Sequence, residues 1–233
     1  VLPRLFFLKR AALDFFFPQK CLGCGEEGEL LCISCQQNLP RIVPPICPGC
    51  GRPQMSGIPC PICASRITSL NGVRAVFKFD TVIRRAVHDL KYRGVKSLCQ
   101  PLGRLMGEYF IRQQIPGRVL VPVPLHPKRL KDRGYNQSEL LADEIGRWVD
   151  LPVVTACLTR DSFRLPQAKT GSIKERQENV KGAFICKNTE LKGQEILLID
   201  DVTTTGATLE ACSVALKDAG VSKVWALVLA REI

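Results

Sequence analysis

The sequence predicts an α/β domain, a parallel sheet core with helices on both faces, preceded by a small module folded around metal. Three observations predict it. Beyond Cys63, apolar strand-like runs alternate with amphipathic stretches, the pattern of a parallel sheet whose strands are buried on both sides. Eight of the twelve cysteines crowd into residues 21–63 as four CxxC pairs. One apolar run, Ile196 to Ile199, ends abruptly in two aspartates and a Thr/Gly-rich turn, "DDVTTTGAT". With 233 residues there is room for one sizeable core and a small accessory unit. The expected divisions are 1–18, 19–68 and 69–233.

The first segment contains "LPRLFFLKRAALDFFFP". Leu5, Leu8, Ala12 and Phe16 share one helical stripe, so an amphipathic helix is expected over 1–18. Arg4, Lys9, Arg10 and Asp14 interrupt it, and it is too short and too charged to span a bilayer. Such a helix more often docks on its own protein than on a membrane surface.

The second segment carries the cysteine pairs "CLGC", "CISC", "CPGC" and "CPIC". A CxxC pair sets two thiolates on one tight turn, and two pairs close a tetrahedral Zn²⁺ site with no open position. Consecutive pairing gives Cys21, Cys24, Cys32 and Cys35, then Cys47, Cys50, Cys60 and Cys63, with seven and nine residues between the pairs. Spacing admits interleaved pairing as well, and an iron–sulfur cluster is the lesser alternative. Four pairs greatly exceed what dithiol redox chemistry uses. Gly25 and Gly51 follow the second cysteine of their pairs, where the chain must turn sharply. A segment so poor in apolar bulk needs its metal to fold. The module has three open uses: gripping DNA, gripping a partner, or capping its neighbour. Cys99, Cys157, Cys186 and Cys212 stand singly in apolar surroundings and read as small buried hydrophobes.

The third segment opens on a strand, "VRAVFKFD" (73–80), followed by helices over 81–92 and about 97–113. "RVLVPVP" (118–124) is a buried strand that its prolines confine to a sheet edge or a carboxyl end. "NQSELLADEIGRWV" (136–149) is a helix with Leu140, Leu141, Ile145 and Trp148 on its inner face. "GAFIC", "EILLID" and "KVWALVLA" are further strands. "ATLEACSVALKDAG" is a helix stopped at Gly220.

Charge is unevenly spread. The whole chain carries a formal +11, but residues 71–136 hold 14 Lys/Arg against 4 Asp/Glu, a net of +10. Two four-thiolate zinc centres would bring the total to about +7. A basic block of this kind points to phosphate, nucleic acid or both, against the blander reading of a solvated face.

Ligands of parallel α/β sheets sit beyond the carboxyl ends of the strands, where Asp200 and Asp201 emerge. Loop N–H groups, a helix N-terminus and the hydroxyls of Thr204, Thr205 and Thr208 make a cradle for a phosphate dianion, and Gly206 permits close approach. Two carboxylates beside a phosphate would repel it unless they held something else, such as sugar hydroxyls or a metal attached to them. The combination suits a ribose 5-phosphate.

"ILLIDDVTTTGAT" resembles the fingerprint of type I phosphoribosyltransferases, which bind phosphoribosyl pyrophosphate (PRPP). Taken with the cysteine pairs, "LKYRG" (90–94), "VPVPLHPKRLKDRGYNQS" (121–138) and "RQENVKGAF" (176–184), the whole chain resembles the ComF family, competence-associated proteins with a double zinc ribbon. The resemblance implies a type I phosphoribosyltransferase fold. It implies that Asp200 and Asp201 hold ribose hydroxyls directly or through Mg²⁺. Thr203, Thr204, Thr205, Gly206, Ala207 and Thr208 would bind the 5-phosphate. The turn of Pro124, Leu125 and His126, with Lys128, Arg129 and Arg133, would meet pyrophosphate. His126 reads equally as a packed loop residue, and His88 as structural. Arg164, Gln167, Arg176, Gln177 and Asn179 flank a polar stretch that reads as a flap over the site or as a solvated loop.

The resemblance further implies a cytoplasmic protein, or one peripheral at the inner face of the membrane, that handles incoming single-stranded DNA in natural transformation with other uptake proteins. Two alternatives stand beside it: an active PRPP-dependent transferase with an unidentified acceptor, and a nucleic-acid-binding zinc ribbon on a catalytically silent fold.

Overall fold

The structure, a computed structural model, describes residues 19–160, 183–187 and 189–233. The expected helix over 1–18 and the flap residues Arg164, Gln167, Arg176, Gln177 and Asn179 lie outside them.

The core is a four-stranded, all-parallel sheet. Its strands are β1 (Gly72–Lys78), β2 (Val119–Pro122), β5 (Glu195–Thr203) and β6 (Lys223–Arg231), in the order β1-β6-β5-β2. β2 is an edge strand, the position its prolines allow, and its last bond to β5 runs from Val123 N to Ile199 O at 2.9 Å. Helices cover both faces. On one side α3 (Thr81–Tyr92), α4 (Cys99–Arg112) and α6 (Gln137–Val149) bury Ile83, Leu90, Leu102, Met106, Leu141 and Ile145 against Leu197, Ile199 and Leu227. On the other, α7 (Ala207–Asp218) buries Leu209, Cys212 and Leu216 against Ile196, Leu198 and Val228. Alternate residues of β5 thus feed opposite cores, which is why the run Ile196 to Ile199 is apolar without interruption. Each such side chain contributes roughly 1.5–3 kcal/mol by its burial.

Three features depart from the sequence reading. "GAFIC" does not join the parallel sheet: β4 (Phe184–Cys186) pairs antiparallel with β3 (Leu158–Arg160) and packs on α7. Each is three residues long and buries only one of them fully, Leu158 and Phe184, so neither carries a legible period. β5 runs past the aspartates to Thr203 because Asp200, Val202 and Thr203 stay in register with Val228, Ala230 and Arg231. Trp148 is not on the inner face but 46% exposed. It covers Gly107 of α4, where an added Cβ would stand 2.7 Å from the indole, and Arg104 stacks on it at 4.7 Å. Of the single cysteines, Cys99, Cys157 and Cys212 are buried as expected, and Cys186 is half-buried.

The cysteine module lies against the outer side of β1. Ile42 N donates to Val76 O (2.9 Å), Lys78 N to Pro40 O (2.8 Å) and Val73 N to Gly49 O (2.7 Å). Two short helices, α1 (Ile33–Gln37) and α2 (Pro61–Ala64), begin immediately after Cys32 and Cys60. The two halves repeat one plan, each a CxxC turn followed by a CxxC helix start. Gly25 and Gly51 both adopt positive φ, +81° and +71°. At Gly51 a second constraint acts: a Cβ would stand 2.4 Å from Val73 O, so this turn can meet β1 only without a side chain.

Candidate functional site

The acid pair lies near the carboxyl end of β5. Asp201 is 3% exposed and Asp200 half-buried. Two neighbouring helices supply their partners. α6 begins with Asn136 as N-cap: its side chain accepts from Ser138 N (3.1 Å) and donates to Val123 O (3.0 Å), tying the helix start to the end of β2. That places the fully buried Ser138 hydroxyl to donate to Asp200 Oδ1 at 2.8 Å. From the last turn of α3, Lys91 Nζ comes within 2.8 Å of Asp201 Oδ2. That oxygen has no aligned hydrogen bond, so the contact is one of charge. Burial pushes the Asp200 carboxyl up to about 7, with the Asp201 charge adding to it. Ser138, Asp201 N–H and Lys91 oppose the rise.

Beyond Thr203 the chain turns through Thr204 to Gly206 into α7. Thr205 Oγ1 accepts from Ala207 N (3.3 Å), and Gly206 is the N-cap at φ +79° with no side chain to cap the helix. An added Cβ there would meet nothing within 4 Å. The first N–H of the helix, that of Ala207, is thus taken by Thr205, and the hydroxyls of Thr204 and Thr208 flank the same turn. From β6, the buried Arg231 holds this loop from behind, donating to Thr204 O (3.3 Å) and to Cys50 O (2.8 Å).

On the far side of Lys91 a cavity of about 470 Å³ opens, lined by Lys91, Tyr92, Arg129, Asp132, Arg133 and Tyr135. Arg129 and Arg133 come from α5 (Pro127–Arg133). Arg133 stacks on Tyr92 at 5.8 Å and bonds Gln137. The site thus combines two carboxylates near the carboxyl end of β5, a Thr/Gly turn at a helix start, and a cationic cavity beside Lys91.

The two cysteine clusters are Cys21, Cys24, Cys32 and Cys35, and Cys47, Cys50, Cys60 and Cys63, their sulfurs within 4.8 Å of one another in each. Consecutive pairing holds, and the interleaved alternative is excluded. Burial resists ionisation of Cys21, but the N–H groups of Cys32, Cys24 and Gly23 outweigh it and bring the thiol down to about 6. Cys47 is brought to about 6 in the same way by Cys50, Cys60 and Gly49. Donors aimed at sulfur favour thiolates, the form that binds Zn²⁺.

Known proteins match both parts. A double zinc ribbon domain matches residues 12–64, and a phosphoribosyl transferase domain matches residues 133–233. Competence protein ComFC of Bacillus subtilis is 31% identical over 201 residues, covering 82% of this chain and 80% of that one. The chain belongs to the ComF family. Competence protein F of Haemophilus influenzae is 29% identical to this ComF chain over 93% of it and 98% of the relative. DNA utilization protein YhgH of Escherichia coli K12 is 29% identical over 88% and 92%. The fold is that of the type I phosphoribosyltransferases, with two four-cysteine groups ahead of it.

Within this ComF chain the expected site residues separate into groups. Asp200 and Thr204 to Thr208 are exposed or half-buried along one stretch of chain, whereas Asp201 and Thr203 are buried in β5. Arg129 and Arg133 line the cavity, whereas the exposed Lys128 does not. Pro124 and Leu125 are half-buried links between β2 and α5. His126 is the N-cap of α5, half-buried, its Nδ1 accepting from Lys128 N at 3.2 Å. His88 is exposed on α3 beside Asp89, its ring 5.1 Å from that of Tyr92. Sequence reasoning missed Lys91, Ser138 and Arg231. Only "LKYRG" and "YNQS" hinted at the first two, since a polar residue at a helix end more often faces water.

No helix among the described residues is long and apolar enough to cross a membrane.

Proposed function

We propose that this ComF protein binds PRPP, or a related ribose 5-phosphate compound, with Mg²⁺, and takes part in handling incoming single-stranded DNA. One observation carries the reading: a carboxylate pair, Asp201 buried and Asp200 half-buried, is followed on the same loop by a helix start whose N-cap, Gly206, has open space beside it. The 5-phosphate is taken by Thr204, Thr205, Gly206, Ala207 and Thr208, whose N–H and hydroxyl groups donate to it. Asp200 and Asp201 take the ribose hydroxyls. The same two residues suit Mg²⁺, being hard oxygen donors, and Asp201 Oδ2 lacks an aligned donor of its own. Mg²⁺, when bound, supplies positive charge against a departing diphosphate. Arg129 and Arg133 stand where that diphosphate's charge would be met.

Phosphorus NMR of PRPP with Mg²⁺, with Asp200→Asn/Asp201→Asn as control, tests this. Resonances that broaden only with the unchanged protein support binding. Pyrophosphate released only by the unchanged protein would make it a transferase and direct attention to the acceptor. Identical spectra with and without protein would sink the reading.

The DNA part draws on the relatives, two competence proteins and a DNA utilization protein, and on the basic block 71–136. Single-stranded DNA binding should weaken steeply with salt, and Lys128→Ala/Arg129→Ala should weaken it alike across sequences. Binding insensitive to salt refutes that part alone.

A further inference from the structure

Lys91 occupies an unusual place. Its side chain is 21% exposed, its ammonium sits 2.8 Å from Asp201 Oδ2, and it also lines the 470 Å³ cavity with Arg129 and Arg133. It stands, therefore, at the boundary between the acid pair and a cationic space. Its bond to Asp201 is a charge contact without hydrogen-bond alignment. A well-aligned pair would resist separation more strongly. Two acidic residues adjacent in sequence and mostly shielded from water need a cation. Among the described residues, Lys91 is the ion-pair partner found for them.

We propose that Lys91 is an exchangeable counter-cation: it neutralises Asp201 in the empty site, yields it to a divalent cation, and then meets phosphate oxygen in the adjoining cavity. The proposal rests on the reading of the acid pair as a site for a cation-bound ribose phosphate. It adds a positioning residue that the fingerprint does not contain. The physical basis is competition. An ammonium and a divalent cation cannot both take Asp201 Oδ2, so the lysine lowers affinity for the free metal ion. Once displaced, the same charge turns toward the cavity it already lines, where Arg129 and Arg133 leave room for an anion. A lysine suits this exchange better than an arginine, because its compact charge rides on a flexible stem and makes no bidentate clamp.

The consequence is a split in sign that a merely structural residue would not give. Lys91→Met should bind Mn²⁺, followed by electron paramagnetic resonance without other ligand, about tenfold more tightly than the unchanged protein. The same variant should bind inorganic pyrophosphate at saturating Mg²⁺, followed by calorimetry, about tenfold more weakly. Lys91→Gln should repeat both results, which guards against a packing defect peculiar to methionine. Lys91→Arg, which keeps the charge and can clamp a carboxylate with two N–H groups, should bind Mn²⁺ no more tightly than the unchanged protein. If both affinities fall together, or neither moves, in Lys91→Met and Lys91→Gln, the counter-cation role is wrong while the site reading stands. If the unchanged protein binds neither Mn²⁺ nor pyrophosphate, the site reading fails and takes the proposal with it.

Discussion

Replacing Asp200 by asparagine should stabilise the ligand-free protein, and by an amount that depends on pH. The Asp200 carboxyl is raised from 3.8 to about 7 by burial and by Asp201, so the folded state holds a proton that the unfolded chain has released. A raised acid confers its stability only at low pH. The folded state is favoured below about pH 4 and loses that advantage as pH climbs to about 7, after which the loss is constant. Three pH units correspond to about 4 kcal/mol in all, of which about 2 kcal/mol falls above pH 5.5, where zinc thiolates still hold metal. Asparagine removes the titration yet keeps an oxygen to accept from Ser138 and from Asp201 N–H, the two donors that Asp200 Oδ1 now serves. Urea unfolding without divalent cations, followed through Trp148 and Trp225, measures the difference. The stability gain of Asp200→Asn should grow by about 2 kcal/mol between pH 5.5 and 8.5. A gain that is the same at both pH values, or a loss at pH 8.5, would refute the assignment of a raised carboxyl to this position.

Metal analysis should find two zinc ions per chain, and a chelator should unfold residues 21–63 first; a metal-free, disulfide-bonded protein contradicts both clusters. Gly206→Ala has space for its methyl but must hold a left-handed backbone, so it should cost about 1 kcal/mol in urea midpoint while weakening ribose 5-phosphate binding. Unchanged phosphate affinity would argue that the loop does not need that shape. Arg231→Met strips Cys50 O and Thr204 O of a buried donor and should cost on the order of 2–3 kcal/mol. It should also slow or weaken phosphate binding without changing zinc content. Zinc loss with intact phosphate affinity would reverse that order of dependence.

The strands and helices that could be read from sequence were those with a long period: α3, α4, α6, α7 and the three strands around Phe77, Leu198 and Leu227 all lie within a few residues of expectation. What escaped was short or set by distant partners. β3 and β4 pair across an interval of more than twenty residues with one fully buried side chain each, and no local pattern announces that. The acid pair and its turn were legible because their chemistry is contiguous in the chain. Lys91, Ser138 and Arg231 were not, because each reaches the site from another element, and only the fold decides which way a helix end faces. Trp148 shows the reverse error. Its spacing fits the inner stripe, but the small Gly107 opens a shelf on the neighbouring helix and the indole lies across it.

The hydrogen bonds from the cysteine module to β1 carry a further consequence. A parallel sheet ends in two margins of unspent N–H and C=O groups, and such margins invite other chains. Here β2 is shielded by Leu120 N to Pro152 O and Val154 N to Leu120 O, while β1 is shielded by Pro40, Ile42 and Gly49 of the module. With so little apolar bulk behind it, the shield on β1 should keep its shape only when its cysteine clusters hold metal. Solubility of this protein should therefore follow its zinc content. A preparation stripped of metal should turn cloudy through sheet-to-sheet association before its α/β core has melted.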